Sequence, residues 1–171
     1  MKLMFKKNSP TDNASWRYGL YEVGEIGFNW HYHPEYEIAL TLNSYGQRYI
    51  GDSIENYGEL DLTLLGPHLP HTWYSAEEIN GQIQQIYVAQ IPALWLEQLV
   101  TMPELIVLQP LLHKSKRGIK FSKSVAQKVK LLFKEIHTAD PTSRFINLLK
   151  IFQLMREDKK AHLLSSSVDN I

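Results

Sequence analysis

The chain has 171 residues, 44% of them hydrophobic and 11% aromatic, which suits one globular domain with a buried core and excludes a disordered composition. Its formal net charge is zero, so no overall charge attracts nucleic acid or an anionic membrane. The absence of cysteine excludes disulfides and thiolate metal sites. The N-terminal apolar run is too short for a signal peptide, and no stretch reaches membrane-spanning length. We therefore expect a cytoplasmic protein with no membrane partner.

The charges are unevenly distributed along the chain. No acidic residue lies between Glu104 and Glu135, and this basic stretch contains Lys114, Lys116, Arg117, Lys120, Lys123, Lys128, Lys130 and Lys134. A solvated helix face beside a basic loop is the favoured interpretation. A docking surface for a partner or for phosphates is the alternative.

The first half of the chain is divided by turn residues into short runs that favour β-strands. The predicted strands are 17–23, 31–42, 47–50, 60–65 and 82–88. Gly51 and Asp52 form a predicted two-residue hairpin turn, because glycine tolerates the positive φ that such a turn needs. This pattern predicts a small barrel or sandwich.

The pattern becomes helical after Pro92. Short helices are predicted over 94–100 and 104–113, and 118–121 is predicted to return as a strand. Apolar residues at helical spacing then predict a helix over 125–136 and a second over 145–155. Asp140 and Pro141 suit the start of the second helix, so the two should form an antiparallel hairpin. The segment 161–167 is predicted to be a helix that frays into a serine-rich linker.

The apolar stripes of this hairpin need a surface to cover them. Packing on each other and on the barrel explains most of the stripes. A second copy of the chain is the additional partner that we expect, which predicts a homodimer. The predicted interface consists of Val129, Leu132, Phe133, Phe145, Leu148 and Phe152.

The segment from Trp30 to Glu37 carries the strongest chemical signal. On a strand, side chains alternate between faces, so the histidines and glutamates at positions 31, 33, 35 and 37 would share one face. Burying two imidazoles and two carboxylates is costly unless they bind each other or a ligand. With His71 added, the residue types suit Zn²⁺, Ni²⁺, Fe²⁺ or Mn²⁺.

These motifs also resemble a known family. His31-Tyr32-His33 followed by Glu37 is similar to the first cupin motif, and the stretch 58–71, ending in His71, is similar to the second. Within cupins, the segment 30–37, Gly-Asp-Ser-Ile-Glu at 51–55 and Leu-Gly-Pro-x-x-Pro-His-x-Trp ending at Trp73 resemble AraC-type transcription regulators, in order and spacing. The resemblance extends from about residue 16 to 167.

The resemblance implies a mainly β fold, a cupin-type double-stranded β-helix barrel followed by a C-terminal antiparallel helical hairpin. The implied units are the barrel with its N-terminal arm and connecting short helices at 1–121, the dimerisation hairpin at 122–164 and the start of a linker at 165–171. The family's helix-turn-helix domain would follow this linker. We therefore expect the chain to contact DNA only through that further domain and not by itself.

The resemblance also implies the site residues. It implies a metal site of His31, His33, Glu37 and His71, although the glycine after Glu37 is Gly46, further on than the usual pattern. A hydrogen-bonded polar cluster without metal is the open alternative. The implied effector pocket consists of Trp30, His31, Tyr32, His33, Glu35, Glu37, Arg48, His71 and Trp73, with Arg48 able to pair with a ligand carboxylate.

The function that follows is effector sensing. A small molecule, with a sugar as the family-inspired candidate, would bind in the barrel and control a DNA-binding domain, and no catalytic activity is expected. The alternative is a metal-dependent cupin enzyme of the dioxygenase or sugar isomerase type, which the three histidines and Glu37 favour.

Overall fold

A computed structural model describes residues 3–6, 9–75 and 81–166 of the chain. Its strands are β1 (Met4–Phe5), β2 (Arg17–Val23), β3 (His31–Tyr32), β4 (Glu35–Leu42), β5 (Gly46–Ile50), β6 (Ser53–Tyr57), β7 (Asp61–Leu65), β8 (His71–Ser75), β9 (Gln84–Pro92), β10 (Ile119–Lys120) and β11 (His162–Leu163). Its α-helices are α1 (Ala93–Leu99), α2 (Gln109–Lys114), α3 (Lys123–Thr138) and α4 (Pro141–Glu157).

The strands form two sheets. The first has the order β1-β3-β8-β5-β6, and the second has the order β11-β10-β7-β4-β9-β2. Neighbouring strands are antiparallel except for β1 and β3, which are parallel. Strand β4 pairs with both β7 and β9, and all eight of its residues are buried. A strand buried on both faces accounts for the nearly continuous apolar run after Glu37.

Most predicted strands occur where the sequence placed them. Strand β2 has the predicted bounds, and Gly51, with a φ of 55°, turns the chain from β5 into β6. The single strand predicted over 31–42 is wrong. It divides into β3 and β4 around Pro34, and the two pieces belong to different sheets. Proline lacks a backbone donor, which suits a crossing between sheets where no ladder continues.

The helices follow their capping signals. The Ser122 hydroxyl accepts a hydrogen bond from the Val125 amide at 3.3 Å, and the Asp140 carboxylate accepts one from the Ser143 amide at 2.9 Å, as predicted for the start of α4. The helix predicted over 104–113 begins as a 3-10 turn at Ile106–Leu108 and continues as α2. The short strand predicted at 118–121 is β10.

The segment after α4 differs from the prediction. Instead of a fraying helix, the chain leaves α4 at Glu157 and returns to the second sheet, where β11 pairs with β10. The Ser165 amide donates to the Arg117 carbonyl at 2.7 Å, and both Ser165 and Ser166 donate to the Asp52 carboxylate. The serines therefore complete the barrel surface; Ser167 lies outside the described residues.

The hairpin of α3 and α4 packs its apolar stripes on the second sheet. The ring of Phe133 stacks on that of Tyr87, with 5.4 Å between their centroids. Four residues of the predicted dimer interface, Val129, Phe133, Leu148 and Phe152, are at most 1% exposed within one protomer. This corrects the prediction for those four, because no partner can contact them in this conformation. Leu132 and Phe145 are half-buried. Among the described residues, no helix combines the length and apolar character needed to cross a bilayer.

Candidate functional site

A cavity of about 160 Å³ lies in the barrel between the two sheets. Strand β4 contributes Glu37, Ala39 and Thr41, and the other lining residues are Ile26, Gly27, Asn29, His31, Thr72, Trp73 and Ile86. The alternation along β4 explains its contribution, because every second residue points to the same face of a strand. The cavity wall is thus largely apolar, with one carboxylate, one imidazole and a few hydroxyl and amide groups.

Three imidazoles meet beside this cavity. Strands β3 and β8 pair at His31 and His71, whose ring centroids are 4.3 Å apart, and the His33 ring is 5.0 Å from that of His71. One ring nitrogen from each of His31, His33 and His71 lies within 4.8 Å of the others. Three neutral imidazoles at this separation could hold a divalent metal ion.

Backbone carbonyls fix the orientation of two of these rings. The His31 Nδ1–H donates to the Asn29 carbonyl at 2.6 Å, and the His71 Nδ1–H donates to the Leu69 carbonyl at 2.7 Å. A carbonyl can only accept, so Nδ1 of each ring carries a proton and Nε2 faces the cluster, where it offers a lone pair when the imidazole is neutral. This is the arrangement in which histidine commonly binds a metal, with the other nitrogen held by an acceptor.

Glu37 joins the cluster through His33. The His33 Nε2–H donates to Glu37 Oε2 at 2.6 Å, and His71 Nε2 lies 3.5 Å from the same oxygen. Burial alone would raise the pKa of Glu37, but the charge of His71 and the hydrogen bond from His33 outweigh it and hold this pKa well below its usual value. Burial opposes the charged form of His33 as well, yet its hydrogen bond to Glu37 raises the pKa of His33.

His31 behaves oppositely. Burial, followed by the neighbouring His71, lowers the pKa of His31 to about 4. Its imidazole is therefore neutral at pH 7, as a metal ligand must be. The three imidazoles that come together belong to the predicted metal site, and Glu37 lies beside them as a hydrogen-bond partner of His33. His33 could bind an ion only as a neutral imidazole whose ligating nitrogen carries no proton. Glu35 lies further along, with Oε2 3.4 Å from His33 Nδ1.

The remaining predicted pocket residues take different positions. Trp73 lines the cavity. Trp30 and Tyr32 are half-buried outside its lining, and the Tyr32 ring contacts that of Phe5 at 5.3 Å in the N-terminal arm.

Arg48 is 1% exposed, and its guanidinium donates to both Asp61 and Glu55. These carboxylates accept from the guanidinium donors that were predicted to bind a ligand carboxylate. Arg48 therefore pairs within the barrel and does not line the effector pocket.

Two residues of the site carry a role that the sequence analysis did not assign. Asp61 accepts from Arg48 with one oxygen and from the Trp73 indole at 3.0 Å with the other. Thr41 lines the cavity, and its buried hydroxyl has no hydrogen-bond partner among the described residues. The period-2 spacing of Glu37, Ala39 and Thr41 was the available signal for Thr41, whereas nothing local pairs Asp61 with Trp73.

Comparison with known proteins establishes the fold. No model of a known protein family matches the chain, and no curated protein does. The chain is similar to the structure of unsaturated fatty acid bound wild-type ToxT from Vibrio cholerae, with a TM-score of 0.53 and 12% identity over 84% of this chain and 54% of that one. An apo variant of ToxT matches with a TM-score of 0.54 and 14% identity, over 85% of this chain and 55% of that one.

The chain has the fold of the matched part of ToxT. The predicted fold class, mainly β with a barrel and a closing helix pair, is thereby confirmed. The chain spans a little over half of the length of these ToxT chains. A cupin 2 conserved barrel domain protein from Rhodopseudomonas palustris also matches, at a TM-score of 0.37 and 19% identity over 48% of this chain and 57% of that one, too distant to support an argument.

Replacing Arg48 with methionine tests the buried charge network. We expect Arg48→Met to lower the free energy of unfolding by about 3–5 kcal/mol, because it leaves the buried Asp61 carboxylate without its cation. Adding Asp61→Asn should restore part of this loss, since the amide oxygen still accepts from Trp73. Chemical denaturation of the wild type and both variants measures the effect; a double variant less stable than Arg48→Met would contradict it.

Proposed function

We propose that this chain is the effector-sensing domain of an AraC-type transcription regulator and that it is not an enzyme. The observation that carries the proposal is the barrel cavity, where Glu37, His31 and the unpartnered Thr41 hydroxyl meet an apolar wall. A concave site with a few convergent polar groups is typical of small-molecule binding. The fold similarity to ToxT, an AraC-family regulator, supports the regulatory role.

The size of the cavity limits the effector. Its volume of about 160 Å³ is below the range of roughly 300–1,000 Å³ that is common for drug-sized ligands. The unsaturated fatty acid bound to ToxT is therefore a poor candidate for this cavity, and a small polar effector fits better. We propose a sugar, whose hydroxyls can pair with Thr41 and Glu37 while its apolar face lies on Trp73.

The N-terminal arm offers a route from the cavity to regulation. Strand β1 pairs with β3, and Met4 lies opposite His31 in that pairing. A ligand that contacts His31 would change the stability of this short two-residue pairing. Binding that favours one arrangement of the arm over another is sufficient to control an attached domain.

Thr41→Val tests whether the cavity binds the effector. We expect isothermal titration calorimetry with a panel of pentoses and hexoses to find a sugar that binds the wild type. Thr41→Val should bind that sugar about five- to tenfold more weakly, since a neutral hydrogen bond contributes about 1 kcal/mol.

Thr63→Val is the matched control, because the Thr63 hydroxyl is also buried without a partner among the described residues but lies outside the cavity lining. Equal losses in the two variants would contradict the cavity as the binding site. A panel in which no sugar binds would contradict the sugar as the effector class.

The histidine cluster supports a second candidate function, a metal-dependent cupin enzyme of the dioxygenase or sugar isomerase type. His31, His33, His71 and Glu37 would hold Zn²⁺, Ni²⁺, Fe²⁺ or Mn²⁺. Such an ion, when bound, supplies Lewis acidity or redox chemistry. Glu37 accepts a hydrogen bond from His33 Nε2–H at 2.6 Å, and this pair would hold or release a proton beside the cavity.

Elemental analysis of the purified chain tests the metal site. We expect about one divalent ion per chain, lost in a His31→Ala/His71→Ala variant and retained in a His113→Ala/His162→Ala variant, whose histidines are exposed. A metal-free wild type would contradict the site. Sugar isomerisation or oxygen uptake that a chelator abolishes would favour the enzyme over the sensor.

We also propose that the hairpin forms a homodimer through its outer face. The exposed residues Leu131 and Ile146 lie on α3 and α4, away from the four buried residues of the predicted interface. Together with the half-buried Leu132 and Phe145, they supply the apolar surface that a second copy could cover.

Leu131→Glu/Ile146→Glu tests this interface. We expect the wild type to sediment as a dimer and the variant as a folded monomer, because each glutamate would otherwise be buried without a partner. Leu94→Glu, at a leucine on α1 that is at least as exposed as the two substituted residues, should leave the dimer intact. Sedimentation equilibrium decides, and a variant that remains dimeric would show that the hairpin is not the interface. Contact with DNA through a further domain and a cytoplasmic location stay predictions.

A further inference from the structure

A second and larger cavity lies outside the barrel. This cavity, the α2–α4 cleft, has a volume of about 640 Å³ and is partly open to solvent. Its walls come from α2, the end of α4 and the segment around β11. The lining residues are Val107, Pro110, Leu111, Lys114, Ile119, Met155, Arg156, Asp158, Lys159, Ala161, His162 and Leu163. It shares no lining residue with the barrel cavity.

The floor of the α2–α4 cleft is apolar. Leu111, Ile119 and Met155 belong to the main hydrophobic core, and each presents one side to the cleft. Val107 and Leu163 extend this surface outward, where they are 46% and 37% exposed. A volume of this size, with an apolar floor, is within the usual range of small-molecule sites.

The rim of the cleft is basic. Lys114, Arg156 and Lys159 are exposed, and none of the ion pairs that join described residues includes them. The one carboxylate of the lining, Asp158, already accepts from the Ser122 amide at 2.8 Å and from the Lys160 amide at 3.0 Å.

Lys114 and Arg156 belong to the last turns of α2 and α4, where the helix dipole favours cations. The lining therefore carries three cations and one carboxylate, so its positive charge is in excess.

We propose that the α2–α4 cleft binds a fatty carboxylate. The alkyl chain lies on Leu111, Ile119 and Met155, and the carboxylate is bound by the cations of the rim. Arginine matches a carboxylate with two parallel donors, and the lysines add charge. A free phosphate would leave the apolar floor uncovered, and a neutral apolar ligand would leave the cations unpaired. The proposal does not depend on the function of the barrel cavity.

The cleft is connected to the barrel cavity through one sheet. Ile119 in β10 and Leu163 in β11 line the cleft, and β7 separates β10 from β4, which lines the barrel cavity. A ligand in the cleft therefore contacts the same six-stranded sheet as an effector in the barrel. A ligand in the cleft could therefore influence the barrel from a second site, next to the segment that returns from α4.

Decanoate, used below its micelle-forming concentration, is the probe. The chain has four methionines, and labelling their methyl groups with ¹³C gives four resonances for nuclear magnetic resonance. We expect decanoate to shift the Met155 resonance in a saturable way and to leave that of Met102 unchanged, since Met102 lies outside the cleft. Loss of one resonance in Met155→Leu assigns the signal.

Variants of the rim test whether its cations bind the carboxylate of decanoate. Lys114→Gln/Arg156→Gln/Lys159→Gln should bind decanoate about tenfold more weakly, from modest contributions of each exposed cation. The matched control, Lys123→Gln/Lys128→Gln/Lys134→Gln, removes the same charge from exposed positions on α3 outside the cleft and should bind normally. Leu163→Glu should also weaken binding, because it places a like charge beside the carboxylate.

Three outcomes would overturn the proposal. The first is a Met155 resonance that decanoate does not shift. The second is an equal loss of affinity in the rim and control triple variants, which would show that only the overall charge matters. The third is equal binding of decanol and decanoate, which would show that the cations take no part. Acetate, which has the head group alone, should not shift Met155.

Discussion

A buried carboxylate, that of Asp61, joins the two sheets of the barrel. Asp61 lies in β7 of the second sheet, and its partners Arg48 and Trp73 lie in β5 and β8 of the first. A charge enclosed at 2% exposure is tolerated only when it is paired and hydrogen-bonded, and here both oxygens are engaged. Because Trp73 is also a wall of the barrel cavity, the contact that holds the sheets together also fixes one side of the binding site.

The histidine cluster depends on a second feature of the same barrel, the break at Pro34. The break places His31 in one sheet and Glu37, six residues later, in the other, so these residues face the same cavity from opposite sheets rather than from one strand. His33, in the crossing itself, spans the gap with its hydrogen bond to Glu37. The cluster is thus a product of the crossing, and its suitability for a metal follows from the way backbone carbonyls hold two of its rings.

The helices cover one part of the second sheet and leave a cleft beside another part. The apolar stripes of α3 and α4 pack against the second sheet. Phe133 and Phe152 are therefore fully buried within one protomer and cannot contact a partner. At the other end, α4 stops and the chain returns as β11, which leaves a space between α2 and the end of α4 that side chains do not fill. The basic stretch of the sequence contributes Lys114 to that space, so part of its charge borders a cavity as well as the solvent.

Local patterns in the sequence were sufficient to predict part of the fold. Turn residues between β-favouring runs predicted most of the long strands, and helical spacing together with the Asp140 cap predicted the hairpin, because these signals are properties of residues close in sequence. The motif residues His31 and His71 indicated a cluster that the structure brings together. Local patterns did not reveal that Arg48 is paired internally, which hairpin face is buried, or that the serines after α4 bind a turn more than 100 residues earlier. Such contacts depend on which surfaces meet after folding, and no local period records them.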